Sequence, residues 1–372
     1  MVIQNGKIFQ ENGKFENEEI YIEDGFIVNK TKNNEVIDAA GLYVIPGLID
    51  IHFHGCVGRD FCDAKHESIA QMAKYQLQNG ITAICPASMT LSIMQLKDIF
   101  RCAASYHSDI GAELVGIYME GPFLSSGKKG AQAETHLCKA DASLFLELQN
   151  AANGMIKVVA LAPEEAGALE FIEAMANEVS ISVAHTCADY DIACQAFQKG
   201  AKQVTHLYTG MNGYHHRNPG VIGAACVSGH VMVELICDGI HIHPSAVRTT
   251  YKMYGADRII MVSDSMSACG LDNGDYYLGG QKVCVKDKIA VLKDSDVLAG
   301  SVTILMDCMR TAVKEMNIPL ESAVKSVTMN PAKAIGIYDK MGSISVGKKA
   351  NFVLLDEELN IRNVIKDGII VR

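Results

Sequence analysis

Apolar positions along this chain follow two alternating rhythms. Short β-branched runs at 44–52, 81–85, 114–120, 156–161, 180–185, 203–206, 231–237 and 258–264 predict strands. Stretches of helical period follow most of them, at 67–79, 91–105, 141–151, 165–178, 189–199, 244–254 and 301–316. Eight strands alternating with helices predict an α/β fold, a (β/α)8 TIM barrel. A doubly wound open sheet is the alternative, weakened because no GxGxxG turn follows the first strand.

The two ends of the chain have a different texture. Residues 2–43 alternate short strand-like segments with Asn-Gly and Asp-Gly turns, and the same pattern returns near the C-terminus. Hairpins this short bury little area alone. Both ends are therefore expected to join in one small β-sandwich domain, residues 1–43 plus 337–372, beside a catalytic barrel domain at 44–336. The stretch 270–297, rich in Gly and Asp, predicts an inserted hairpin loop after the eighth strand.

Composition narrows the class of partner. A net charge of -10 over 372 residues disfavours nucleic acid and anionic membrane surfaces. No run reaches the ~18 apolar residues of a spanning helix, and no secretory signal pattern opens the chain. The twelve cysteines are scattered, mostly inside apolar runs, with no CxxC pair. Reduced thiols in a cytoplasmic protein are the expectation.

Chemistry enters where ionisable residues fall at strand ends. VIPGLIDIHFHG (Val44–Gly55) places His52 and His54 one residue apart, so in a strand both imidazoles share a face. Glu120 ends the third strand, His185 the fifth, His206 the sixth and Asp264 the eighth. In a closed barrel these ends converge on one rim. Four His and two carboxylates there suit Zn²⁺ or Fe²⁺, with one ion or two left open. Such an ion lowers the pKa of bound water to roughly 7 and polarises carbonyls. Asp264, a carboxylate, is placed to move a proton from water to a leaving amine. The predicted class is metal-assisted hydrolysis of an amide or similar C–N bond. Arg217, in MNGYHHRNPG, and His241, in CDGIHIHP, are candidates for binding a phosphate.

The motifs PGLIDIHFHG, MEGPF, VAHT, THLY, RNPG, CDGIHI, VSDSM and LAGS, in this order, resemble those of the N-acetylglucosamine-6-phosphate deacetylases of the amidohydrolase superfamily. The resemblance spans essentially the whole chain. It implies hydrolysis of the N-acetyl group to give glucosamine 6-phosphate and acetate. It further implies metal ligands at Glu120, His185 and His206, a second position completed by His52 and His54, and Asp264 as general acid/base. Substrate contacts are implied at Ala131, Gln132, Thr209, Gly210, Arg217, His241, Leu298, Ala299 and Gly300. A homodimer is implied too, with an arginine of the 211–220 loop reaching the neighbouring subunit's site. Three features depart from the pattern. Thr209-Gly210 stand where Asn-Ala is usual, Gln132 where a His is usual, and His215 and His216 precede Arg217. A neutral amide donor is roughly half as strong as a charged one, so the oxyanion would lean more on the metal. These departures keep open another N-acyl amino sugar, such as N-acetylgalactosamine 6-phosphate, or a different amidohydrolase substrate. A non-catalytic sugar-phosphate sensor is the remaining alternative.

Overall fold

A computed structural model describes residues 1–33, 35–293 and 295–372. Positions 34 and 294, inside the predicted N-terminal strands and the inserted loop, lie outside the described residues. Among the described residues, eight parallel strands form the barrel: Leu48–Asp50, Ile81–Ile84, Ile117–Glu120, Ile156–Leu161, Ser180–Val183, Gln203–Val204, Met232–Ile236 and Ile259–Val262. The third to eighth strands pair in sequence order. The second joins the third through Ala87–Ser88 and the bond from Val115 N–H to Ile84 O, 2.9 Å. Closure between the first and eighth rests on Asp264 N–H to His52 O at 2.9 Å and His54 N–H to Ser265 O at 2.7 Å. Below them the Ser263 hydroxyl donates to Asp50 Oδ2 at 2.5 Å.

Period-two alternation explains how such short strands hold together. Val158, Ala160, Ile260 and Val262 pack with Tyr118 inside the barrel. Their neighbours Val159, Leu161, Ile259 and Met261 pack outward with the core beneath the helices. Glu120 and Glu234 continue the inward face of their strands, in step with Tyr118 and Ile236. Helix starts are capped where the sequence supplies an acceptor: Ser92 with Gln95 forms a capping box, and Asp141 and Asp189 accept from Leu144 N–H and Ile192 N–H.

Several elements differ from expectation, among them the helices Leu320–Val327 and Met329–Ala334, which follow the last predicted helix. The helix Gly220–Val227 has no counterpart among the predicted ones; almost every residue in it is buried, so it carries no amphipathic period to read. The predicted strand at 44–52 divides at Gly47. Tyr43–Pro46 pairs antiparallel with Phe352–Leu355, and Leu48–Asp50 enters the barrel. A Cβ at Gly47 would stand 2.2 Å from Thr82 Oγ1, so the crossing requires glycine.

Both ends of the chain meet in the small sandwich. A six-stranded sheet combines Lys7–Phe9, Phe15–Asn17 and Tyr43–Pro46 with three C-terminal strands. A four-stranded sheet of N-terminal segments packs on it through Ile3, Ile20, Ile22, Val44, Phe352 and Leu354. The inserted segment after the eighth barrel strand is a three-stranded antiparallel sheet, Gly274–Leu278, Gln281–Lys286 and Ile289–Leu292. Among the described residues all twelve cysteines are free, and no helix is long and apolar enough to cross a membrane.

Candidate metal-centred active site

The C-terminal rim of the barrel gathers the six ionisable residues singled out at strand ends. None is more than 6% exposed. Glu120 is the last residue of its strand, and the others lie just beyond theirs, where the chain turns sharply. His185, His206 and Asp264 take φ of 42°, 26° and 47°, a left-handed backbone that costs a non-glycine residue roughly 1–2 kcal/mol. Packing around the rim holds that strain and aims each side chain inward.

Glu120 sits at the centre. Its Oε1 lies 3.0 Å from His206 Nε2, 3.1 Å from His185 Nε2 and 3.6 Å from His52 Nε2. Its Oε2 lies 3.3 Å from His54 Nε2, which is also 3.3 Å from Asp264 Oδ1. The outer nitrogens are anchored: Nδ1 of His54, His185 and His206 meets the carbonyls of Ala87, Lys128 and Thr209 at 3.2, 2.9 and 3.1 Å. A carbonyl accepts only, so Nδ1 carries a proton and Nε2 is the nitrogen left to face Glu120, free to give up its own proton to a cation.

This arrangement fits a divalent cation. Two sets of ligand atoms, His52–His54–Glu120 and Glu120–His185–His206, each lie within 4.8 Å of one another. His52 Nε2 is buried and has no hydrogen-bond partner, which is costly unless something positive faces it. Electrostatics agree. Burial works to raise Glu120, but the His52 charge and bonds from His185 and His206 hold it well below the usual carboxylate range. Burial also opposes charge on His54, yet Asp264 and Glu120 push it up to about 10. The site draws positive charge.

Beside this cluster lies a cavity of 220 Å³, walled by Ala131, Gln132, Thr209, Gly210, His241, Leu298 and Gly300 together with His54, Glu120, His185, His206 and Asp264. Larger clefts of 410 and 520 Å³ lie elsewhere, but neither is lined by an imidazole among the described residues. His241 is braced by Asp238, whose Oδ2 lies 2.7 Å from Nδ1. Burial lowers this imidazole, but the hydrogen bond and charge of Asp238 carry it above its ordinary value, which suits it to an anion. Ala299 is buried behind the wall with its N–H on Ala290 O. Arg217 lies on an exposed loop, its Nη1 2.9 Å from His216 Nε2, and does not line the cavity.

Gln132 is fully engaged with the protein. Its Nε2 donates to Glu120 Oε2 at 2.7 Å, and its Oε1 accepts from Thr90 N–H at 2.7 Å. Sequence reasoning missed Met89 and Leu278, which add apolar wall; single apolar residues outside a motif carry no signal. It also missed Glu234, a buried carboxylate against His52. That one was readable: a charge in the middle of the apolar run MVELI is the kind of residue that needs a reason.

Comparison with known proteins agrees with this geometry. A model of the amidohydrolase family matches residues 43–371. An N-acetylglucosamine-6-phosphate deacetylase of Bacillus subtilis is 35% identical over 97% of this chain and 94% of its own length. One from Vibrio furnissii is 33% identical over 91% of this chain and 86% of its own length. The structure of a Mycobacterium smegmatis N-acetyl-D-glucosamine-6-phosphate deacetylase mutant, in complex with N-acetyl-D-glucosamine-6-phosphate, superposes with a TM-score of 0.91. That match covers 100% of this chain and 99% of the other at 27% identity. The chain belongs to the amidohydrolase family and, within it, to the N-acetylglucosamine-6-phosphate deacetylases.

Proposed function

We propose that this protein hydrolyses the N-acetyl group of N-acetylglucosamine 6-phosphate, giving glucosamine 6-phosphate and acetate. The observation that carries the reading is Glu120 at the centre of four converging Nε2 atoms, with Asp264 beside them on the cavity wall. Glu120, His185 and His206 would hold one Zn²⁺ or Fe²⁺, and His52, His54 and Glu120 a second. A divalent ion there supplies Lewis acidity that polarises the amide carbonyl and acidifies water.

The chain's own groups do the rest. Burial works to raise Asp264, but the bond from His54 and the charges of His52, His54 and His206 hold it below its ordinary value, so it stays a carboxylate and can accept a proton. It takes that proton from water as the water oxygen bonds to the acetyl carbon, then gives it to the sugar nitrogen as the C–N bond breaks. The acetyl group leaves with the new oxygen as acetate once its remaining water proton passes to the free amine or to solvent, and the amine keeps the proton from Asp264. His241 faces the cavity as a cationic contact for the substrate's phosphate. Ala131, Thr209, Gly210, Leu298 and Gly300 shape the space for the sugar. Arg217, exposed in this chain, is assigned to the phosphate of a neighbouring subunit in a homodimer. The compartment is the cytoplasm.

The test is acetate release from a panel of phosphorylated and free N-acetylhexosamines, with metal content measured on the same sample. Release from N-acetylglucosamine 6-phosphate, lost on chelation and restored by Zn²⁺ or Fe²⁺, is expected. Faster turnover of N-acetylgalactosamine 6-phosphate would move the substrate to that epimer. No release from any phosphorylated hexosamine by metal-loaded protein would overturn the reading.

A further inference from the structure

His52 is held differently from the other three imidazoles. Of these described residues, His54, His185 and His206 lean on backbone carbonyls, whereas His52 Nδ1 lies 2.9 Å from the Oε2 of Glu234. Glu234 is fully buried in the strand Met232–Ile236, beneath the cavity and outside its wall, so it cannot touch substrate. Its Oε1 accepts from Gln203 Nε2, and its Oε2 also accepts from His206 N–H at 3.2 Å. A carboxylate in a barrel interior is costly to keep, even with every donor around it used. The opposite face of His52 completes the picture: Nε2 is buried, unpartnered, and 3.6 and 3.7 Å from Glu120 and Asp264, beyond hydrogen-bond reach of either.

We propose that Glu234 is a positioning residue that accepts the Nδ1 proton of His52, leaves the Nε2 lone pair free, and so commits His52, with His54 and Glu120, to a second cation position. The inference rests on the metal-hydrolase reading above. A carboxylate raises the basicity of an imidazole more than a carbonyl does, so this contact strengthens the position that His52 shares with His54 and Glu120. The other position meets Glu234 only through the backbone N–H of His206, while the His206 ring is held separately by Thr209 O.

The test is Glu234→Gln. If its carbonyl keeps the bond from Gln203, its NH₂ faces His52 Nδ1 and forces the proton onto Nε2. Chelated protein is reloaded with Zn²⁺ against a competing chromophoric chelator, and histidine tautomers are read by ¹⁵N NMR. Wild type is expected to take two ions, with His52 protonated at Nδ1. The variant should lose about 10–100-fold in affinity for the second ion and less for the first, with His52 protonated at Nε2. Gln203→Leu, which removes the partner of Glu234 without altering the carboxylate, should weaken the same ion by less and covers the case in which the first variant fails to fold. Two ions bound with unchanged affinity by the variants, or a wild type that takes one ion, would overturn the role of Glu234 and leave the hydrolase reading standing. A wild type that takes none removes both.

Discussion

At the scale of single residues, Gln132 and Asp264 divide two jobs that the sequence alone does not separate. Gln132 stands where the related enzymes' pattern leads one to expect a substrate-facing donor, yet both ends of its amide are spent on Glu120 and Thr90. Its role is to fix the carboxylate around which the imidazoles gather. Gln132→Leu keeps the bulk but strands Glu120 Oε2 and Thr90 N–H, so a loss of about 1–3 kcal/mol is expected by denaturant titration. If stability is unchanged, those contacts carry no weight. Asp264→Asn keeps the shape and removes the proton acceptor. Its kcat should fall by about 10²–10⁴-fold while bound metal, measured by elemental analysis, stays at the wild-type level. Equal loss of metal would make Asp264 a ligand first and a base second. The identities at the rim were legible because a His or carboxylate ending an apolar run has few structural reasons to be there. The partners were not: nothing in the sequence says that Gln132, on the cavity wall, spends its amide on Glu120 and Thr90, since that depends on which way a loop folds back.

At the scale of elements, the site is made by how strands end. The left-handed turns at His185, His206 and Asp264 send three side chains over the barrel mouth, and the loops that follow are shaped to receive them. Gly210 shows how closely. Its φ is 64°, and an added Cβ would come within 2.9 Å of His185 Nδ1. Gly210→Ala is expected to cost about 1–2 kcal/mol in backbone strain and to displace His185, weakening metal binding in a Zn²⁺ titration. Unchanged affinity would mean that the 208–212 loop yields and the ring does not. The inserted hairpin joins this group: Leu278 and Leu298 reach the cavity, and Gln281 Nε2 donates to Ala131 O. Its presence was readable from Gly and Asp density, but its placement over the site was not, because insertion length says nothing about direction. The helix Gly220–Val227 was illegible for the opposite reason. Buried on nearly all sides, it has no polar face to mark its period.

At the scale of the whole molecule, the chain's two ends are joined strand to strand in one sheet. The alternation of strands and helices announced the barrel, and repeated turn-rich texture at both termini announced their union. The point of exchange between the two, at Gly47, was hidden inside one continuous apolar run, because strands of either body use the same residues. A polar cluster reinforces the join. Glu11 Oε1, from the N-terminal segment, accepts from Ser343 Oγ at 2.6 Å, Tyr338 OH at 3.0 Å and Lys348 Nζ at 3.3 Å. The Ser343 bond leads in holding this carboxyl down at about 2, against burial and with help from Ser345, Tyr338 and Lys348. A folded-state value below the unfolded 4.5 means that the contribution is complete above about pH 4.5 and lost as pH falls through about 2. The side chain is 48% exposed, so solvent screening reduces the benefit to about 1 kcal/mol. Glu11→Gln should therefore unfold more easily in urea at pH 7, and the gap from wild type should hold down to about pH 4.5 and shrink below it as titrations are repeated toward pH 3. A gap that stays constant with pH would show that the cluster acts by packing and neutral hydrogen bonds, with the Glu11 charge contributing nothing to the join between the termini.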